Sequence, residues 1–406
     1  MTARKSNLAL SFIILTVALD AVGIGLIFPV MPDLMESVTH EGLSKAALWG
    51  GIITASFAVM QFLFGPVIGN LSDRFGRRPV LLVSLAVMSI DYVVMALAGS
   101  VWTLLVIRAV AGITAATHST AAAYIADITP PDKRGKRFGL MGAAFGLGFI
   151  AGPAIGGMVA GIDPRAPFWV AAALAAANFA FGWFVVPESL APENRRPFSW
   201  ARANPLSSFA AIRRLPGLKV LMTVTFIYAL TYNVWPAIWA YYTTEAYGWN
   251  AQWIGLSLAA FGLCMVVTQG VLVGPIIRRL GERRTVLLGS SFETVTYGFL
   301  AFNTSGLLAV ITTPVTAIGG VTGPALQAMG SRATPEDQQG ELQGILTSLN
   351  ALAMILAPLI MTWVFDRFTG PGAPFYFPGA PFFLAAVLMV AGVIVFVAGT
   401  REKSDG

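Results

Sequence analysis

The chain has 406 residues, 56% of them hydrophobic and only 11% charged, with a mean hydropathy of +0.72. No water-soluble surface can be assembled from that mixture, so an ordinary soluble domain is excluded. The net charge of +6 and the single Cys264 support neither a nucleic-acid binder nor an intramolecular disulfide framework, because the basic residues cluster between apolar runs.

Apolar stretches long enough to cross a bilayer as helices recur along the chain, without the two-residue alternation of barrel strands. The first, at 8–30, carries Asp20, is too long for a signal-peptide core and lacks a cleavage pattern, so it reads as a retained span. The second, 47–69, carries Gln61, and the third, 79–98, carries Asp91. The fourth, 101–124, holds Arg108 and His118, with Asp127 just beyond it. The fifth, 138–160, is rich in glycine, and the sixth covers 167–186. A seventh, 218–240, holds Tyr228, Tyr232, Asn233, Trp235 and Trp239, with Tyr241 just after it. The eighth, 251–275, carries Met265 and Gln269, and the ninth, 285–302, carries Glu293. The last three fall at 306–329, 341–364 and 377–398. The expected fold is therefore an all-α membrane protein of twelve transmembrane helices.

Charge sets the expected orientation. Of the 26 Lys and Arg, 22 lie on the side of the termini, Lys45, Arg165 and Arg367 lie opposite, and Arg108 is within a span. Both termini are expected in the cytoplasm. The longest break in hydrophobicity, 187–217, reads as a cytoplasmic linker between an N-terminal six-helix bundle, 1–186, and a C-terminal one, 218–406. A weak repeat agrees: Gly65-Pro66 leads to Gly76-Arg77-Arg78, and Gly274-Pro275 leads to Gly281-Glu282-Arg283-Arg284. Two pseudo-symmetric bundles around a midplane site are the layout of a secondary transporter.

The loop Gly69-Asn70-Leu71-Ser72-Asp73-Arg74-Phe75-Gly76-Arg77-Arg78-Pro79 resembles the loop between helices two and three of the major facilitator superfamily. Physically, Gly69 permits close helix approach, Gly76 a tight turn, and Asp73 an ion pair with a nearby arginine or a bond to a helix end. The resemblance implies a conformational latch; a generic basic loop is the alternative. In the fifth span, Gly148, Gly152, Pro153, Gly156 and Gly157 resemble a motif of the superfamily's antiporter branch. Close helix packing alone is the other explanation of those small residues.

Asp20, Asp91, Arg108 and Glu293 fall well inside spans. Each needs a partner, a proton or a water-filled cavity, since an ion in the membrane interior costs about 3 kcal/mol or more. The three acids can be neutralised by protonation, whereas Arg108 needs a carboxylate or anionic ligand. A structural Asp20–Arg108 pair is one alternative to a proton-coupling role, and Glu293 has no cation within its own span.

Several segments together are similar to the tetracycline/proton antiporters of Gram-negative bacteria. They include Leu19-Asp20-Ala21-Val22-Gly23, Arg108-Ala109-Val110-Ala111-Gly112, Ala123-Tyr124-Ile125-Ala126-Asp127, Gly255-Leu256-Ser257-Leu258 and Gln338-Gln339-Gly340-Glu341-Leu342. The resemblance implies proton coupling at Asp20, Asp91 and Glu293, a charge partner in Arg108, and a latch of Gly69, Asp73, Arg74, Gly76, Arg77, Arg78 and Asp127. Gln61 and Gln269 are implied as cavity residues. Two departures stand out: Glu293 replaces the family's aspartate, and Met265 its histidine. His118 reads either as a core hydrogen-bonder or as a partial replacement for that histidine. Asn233 and Trp235 face either a drug cavity or an interfacial belt, and Trp239 and Tyr241 are assigned to the belt.

The implied function is proton-coupled export of a drug, foremost tetracycline carried with Mg2+ or another divalent cation as substrate, by a monomer in the bacterial inner membrane. An exporter of another amphipathic compound is the alternative. No cofactor or resident metal is expected, and no nucleic-acid partner. Two histidines and one cysteine supply no nucleophile–base pair or metal cluster for an enzyme, and no phosphate-binding Gly-Lys-Ser/Thr loop is present.

Overall fold

The computed structural model describes residues 3–200, 203–205 and 216–400. Arg202, Arg213, Arg214, Arg401 and Lys403 of the charge argument lie outside the described residues, as does much of the expected linker. Among the described residues there is no strand.

The helices follow the expected spans. They are α1 (Ala3–Ile27), α2 (Leu43–Phe75), α3 (Arg77–Leu97), α4a (Val101–Thr114), α4b (Thr117–Ile128), α5 (Pro131–Ala160) and α6 (Ala166–Val185). There follow α7a (Lys219–Tyr232), α7b (Val234–Tyr247), α8 (Ala251–Val267, prolonged to Leu280), α9 (Glu282–Phe302), α10a (Gly306–Thr316), α10b (Thr322–Ala333), α11 (Gln339–Thr369) and α12 (Ala380–Gly399). Eleven spans meet the length and hydropathy of a membrane crossing. The remaining one, α9, is 21 residues long; Glu282, Arg283, Arg284 and Glu293 lower its hydropathy.

The interruptions were not foreseen from hydropathy. Helix α4 breaks at Ala115-Ala116, and Ala115 has ψ 64°, outside the helical range. Helix α7 breaks at Asn233, and a 3₁₀ stretch, Ala317–Val321, joins α10a to α10b. In α8 a π-turn spans Thr268–Leu272, closed by the Val273 N–H to the Thr268 carbonyl. All of these residues lie inside apolar runs, where a sliding window averages over them.

The helices gather into two compact units. The first holds Met1–His40, Ser56–Pro205 and Asn250–Ala259; the second holds Glu41–Ala55, Leu206–Trp249 and Ala260–Gly406. In the first, α1 lies along α5 with its backbone almost touching. A Cβ on Gly148, Gly152 or Gly156 would strike the carbonyls of Ala18, Val22 and Leu26 respectively. The four-residue step on both helices keeps one seam in register over two turns. The same unit buries Phe12, Ile13, Val17, Leu81, Leu85, Tyr124 and Ile125 as one core.

The second unit is centred on aromatic rings. Trp235 packs against Trp239, Phe261, Tyr297 and Phe382, with centroids 4.9–6.3 Å apart. Trp239 is 1% exposed and Tyr241 5% exposed, so neither stands on an interfacial belt. Trp239 is held among Trp249, Tyr242 and Phe382, and Tyr241 against Gly50. Their apolar rings gain more from core contact than from the headgroup layer.

Candidate functional site

Among the described residues the intramembrane charges divide into one ion pair, in which Asp91 Oδ1 is left without a hydrogen-bond partner, and two carboxyls that no Lys or Arg pairs with. On α3, Asp91 accepts a hydrogen bond from Arg108 on α4a at 2.8 Å. The Arg108 guanidinium also stacks 4.5 Å from the Phe57 ring centroid, which disperses its charge over an aromatic face. The expected alternative, an Asp20–Arg108 pair, is not what forms. Arg108 reaches Asp91 because the two project from neighbouring, directly connected helices.

Asp20, 9% exposed, has its Oδ1 buried without a hydrogen-bond partner. Tyr92 packs one turn away against Gly23. Gln61 Nε2 donates to the Ala115 carbonyl at 3.3 Å, at the break in α4. His118, in the first turn of α4b, stands edge-on to Phe145 at 5.5 Å.

In the second unit, Glu293 on α9 is 4% exposed and its Oε2 has no hydrogen-bond partner. It rests directly on Gly319 of the 3₁₀ stretch, where a Cβ would strike its Cγ. The phenols of Tyr228, Tyr232 and Tyr297 lie in its electrostatic surroundings, the first two stacked 5.9 Å apart. Gln269 Nε2 donates to the Gly320 carbonyl at 3.0 Å and lies 3.6 Å from Met265 Sδ. Met265 itself packs on Gly320. Asn233 turns back on its own helix, its Nδ2 donating to the Ala229 carbonyl at 2.8 Å, and Trp235 belongs to the aromatic core.

The loop between α2 and α3 forms a third cluster, within the first unit. Arg77 bonds Asp73 at 2.7 Å, Ser72 at 3.1 Å and Asp127 at 3.2 Å. Asp127 also accepts from Ser189 Oγ at 3.0 Å. Arg78 lies over Trp183 and donates to its carbonyl, and Arg74 lies over Phe75. Gly76 has φ 109°, a left-handed value that favours glycine, and a Cβ there would also strike Glu188. Among the described residues, a Cβ on Gly69 would meet nothing within 4 Å.

Glu188 was not foreseen. Its carboxylate accepts the backbone N–H groups of Arg77 and Arg78 at 2.8 and 3.2 Å, and those of Ser189 and Leu190 at 3.0 Å each. An anion there satisfies free donors at the start of α3 and complements its dipole. The Arg196 N–H likewise reaches the Asp73 carbonyl at 3.1 Å. Nothing in sequence spacing ties residue 188 to residue 77; only the return of the chain after α6 does.

Long apolar helices, mid-membrane breaks and buried carboxyls without counterions define a multi-pass membrane transporter rather than an enzyme. The chain belongs to the Major Facilitator Superfamily, whose family model matches residues 13–233 and 220–405. It is 45% identical over 361 residues to the class C tetracycline resistance protein of Escherichia coli, covering 89% of this chain and 90% of that one. To the class G protein of Vibrio anguillarum it is 41% identical, covering 88% of this chain and 90% of that one. Among solved structures, a point mutant of the nucleoside transporter NupG superposes with a TM-score of 0.80 at 12% identity, covering 97% of this chain and 100% of that one. A human organic anion transporter superposes with a TM-score of 0.70 at 24% identity, covering 96% of this chain and 99% of that one; these two likenesses establish the fold alone.

Proposed function

We propose that the protein is a proton-driven antiporter that exports tetracycline, as its complex with a divalent cation, across a bacterial inner membrane. Both termini lie in the cytoplasm, and the monomer is the working unit. The observation that supports this reading is the inequality of the buried acids. Each has one oxygen without a hydrogen-bond partner, but Asp91 has a cation in Arg108, while among the described residues no Lys or Arg pairs with Glu293. A carboxylate left ionised in the membrane interior costs about 3 kcal/mol, so Glu293 holds a proton unless a cation replaces it.

Asp20 is the second acid without an arginine, and its Oδ1 is likewise unpartnered. The coupling is competition. Protons taken from the periplasm neutralise the acids, and a cationic drug–metal complex arriving from the cytoplasm displaces them. In this reading the metal travels with the drug as cargo. The tetracycline resistance proteins at up to 45% identity supply the cargo class.

Everted membrane vesicles carrying the protein, with a proton gradient imposed acid inside, test this. Adding tetracycline with Mg2+ is expected to release protons and drive drug uptake. Proton release without tetracycline uptake, or unchanged tetracycline tolerance in a sensitive strain that expresses the protein well, points instead to another amphipathic cargo. Tetracycline movement without proton release overturns the coupling.

A further inference from the structure

Gln61, half-buried, and Gln269, an exposed residue, occupy the same place in the two halves of the chain. Each half opens its fourth helix with a capping serine, Ser100 or Ser305, whose side chain accepts a backbone N–H. Counting 15 residues on from each reaches Ala115 and Gly320. These are the two carbonyls that the glutamines bind, Gln61 at 3.3 Å and Gln269 at 3.0 Å.

The second helices differ by one residue, since Gln61 lies four before Gly65 and Gln269 five before Gly274. The π-turn at Thr268–Leu272, with its longer hydrogen-bonded ring, takes up that extra residue and keeps the amides in equivalent positions.

Both carbonyls lack a helical donor. At the first, the ladder of α4b begins with Thr120 N–H to the Ala116 carbonyl, one residue past Ala115. At the second, the α-helical donor to Gly320 would be residue 324, a proline without an N–H. The next residue back, Gly323, packs against the Tyr228 phenol. A bare carbonyl in the membrane interior is costly, so each break depends on its glutamine.

The breaks also carry the charged groups. Arg108 lies seven residues before Ala115 on α4a, and Glu293 rests on Gly319, the residue before Gly320. We propose that Gln61 and Gln269 are paired positioning residues. Each clasps the broken fourth helix of its own half to the second helix, and so holds Arg108 in one half and the seat of Glu293 in the other. This role differs from the cavity-lining one implied by resemblance. It rests on the antiporter reading only for its transport measurements.

The test uses the full-length protein with Gln61→Ala, Gln269→Ala and the isosteric Gln61→Glu and Gln269→Glu. Hydrogen exchange of the purified protein needs no cargo. Each alanine variant is expected to speed exchange of the amides just after its own break, near 116–121 or 319–325, and not in the other half. In transport, kcat falls about tenfold, the worth of one buried hydrogen bond. KM stays within about twofold, since no drug contact is lost.

The glutamate variants supply a readout that simple packing would not. A protonated carboxyl donates its O–H to the carbonyl, whereas a carboxylate repels it. Their exchange rates, corrected for intrinsic chemistry, and their kcat relative to the wild type are expected to recover as pH falls. Where an alanine variant does not accumulate in the membrane, the isosteric pair decides. Unchanged exchange in all four variants overturns the clasp, as does a KM rising with kcat unchanged. A wild type that moves no tetracycline would sink the cargo reading and leave the exchange experiment decisive.

Discussion

Arg108 donates to Asp91 at 2.8 Å while its guanidinium lies over Phe57, so that one of the three intramembrane acids is already neutralised by the protein. The pair joins α3 to α4a, with the Asp91 side chain 1% exposed and that of Arg108 20% exposed. It sets Asp91 apart from Asp20 and Glu293, which no Lys or Arg pairs with among the described residues.

Breaking that pair from one side leaves a buried ion uncompensated. Asp91→Asn and Arg108→Gln are each expected to destabilise the protein by about 3–5 kcal/mol. The double variant should lose much less than the sum of the two. Thermal unfolding in detergent, with membrane abundance measured in parallel, reads the cycle. Additive losses would mean that the two side chains act independently.

Glu293→Gln is expected to abolish proton-coupled drug uptake in everted vesicles while leaving thermal stability equal or higher. The amide keeps the shape of the side chain on Gly319 and removes a group whose Oε2 has no partner. Wild-type coupling in this variant would remove Glu293 from the mechanism.

Asp73→Asn loosens the cluster that gathers Arg77, Ser72 and Asp127 in one place. Turnover should fall several-fold more than drug affinity, the outcome expected of a conformational latch. A stopped-flow comparison of binding and turnover separates the two; loss of affinity alone would contradict it.

Glu188→Ala removes an anion that caps the first turn of α3, a contact worth about 1 kcal/mol. The expected result is a lower unfolding temperature together with the same slowing that Asp73→Asn causes. Gly76→Ala should be worse than either, since φ 109° is strained for alanine and its Cβ would strike the Glu188 carboxylate.

Gly152→Leu should separate α1 from α5, because a side chain there meets the Val22 carbonyl and the Gly25 backbone. Overpacking of this kind costs about 1–3 kcal/mol. A thermal-shift measurement checks it, and a neutral result would show that the seam at Gly152 yields more readily than its contacts imply.

The spans were legible because twenty apolar residues in lipid have few options besides a helix, whatever their neighbours. The breaks at Ala115 and Gly319 were not, since the residues there are as small and uncharged as those around them, and Asn233 is one polar residue that an apolar run averages out. Trp239 and Tyr241 show the same limit. Their amphipathic rings suit an interface by type, yet tertiary packing buries both. The loop cluster was half visible: Asp73, Arg77 and Arg78 lie close together in the chain, while Glu188 arrives from more than a hundred residues away.

From residue order alone came the membrane, the helix count, the candidate acids and the glycine seam of α5. Each follows from composition and local spacing, which act within a single helix. Which acid meets Arg108, what Glu293 rests on and what the two glutamines hold were decided only by the fold. Those contacts join different helices, and their partners are chosen by helix packing, with no local rule of spacing to announce them.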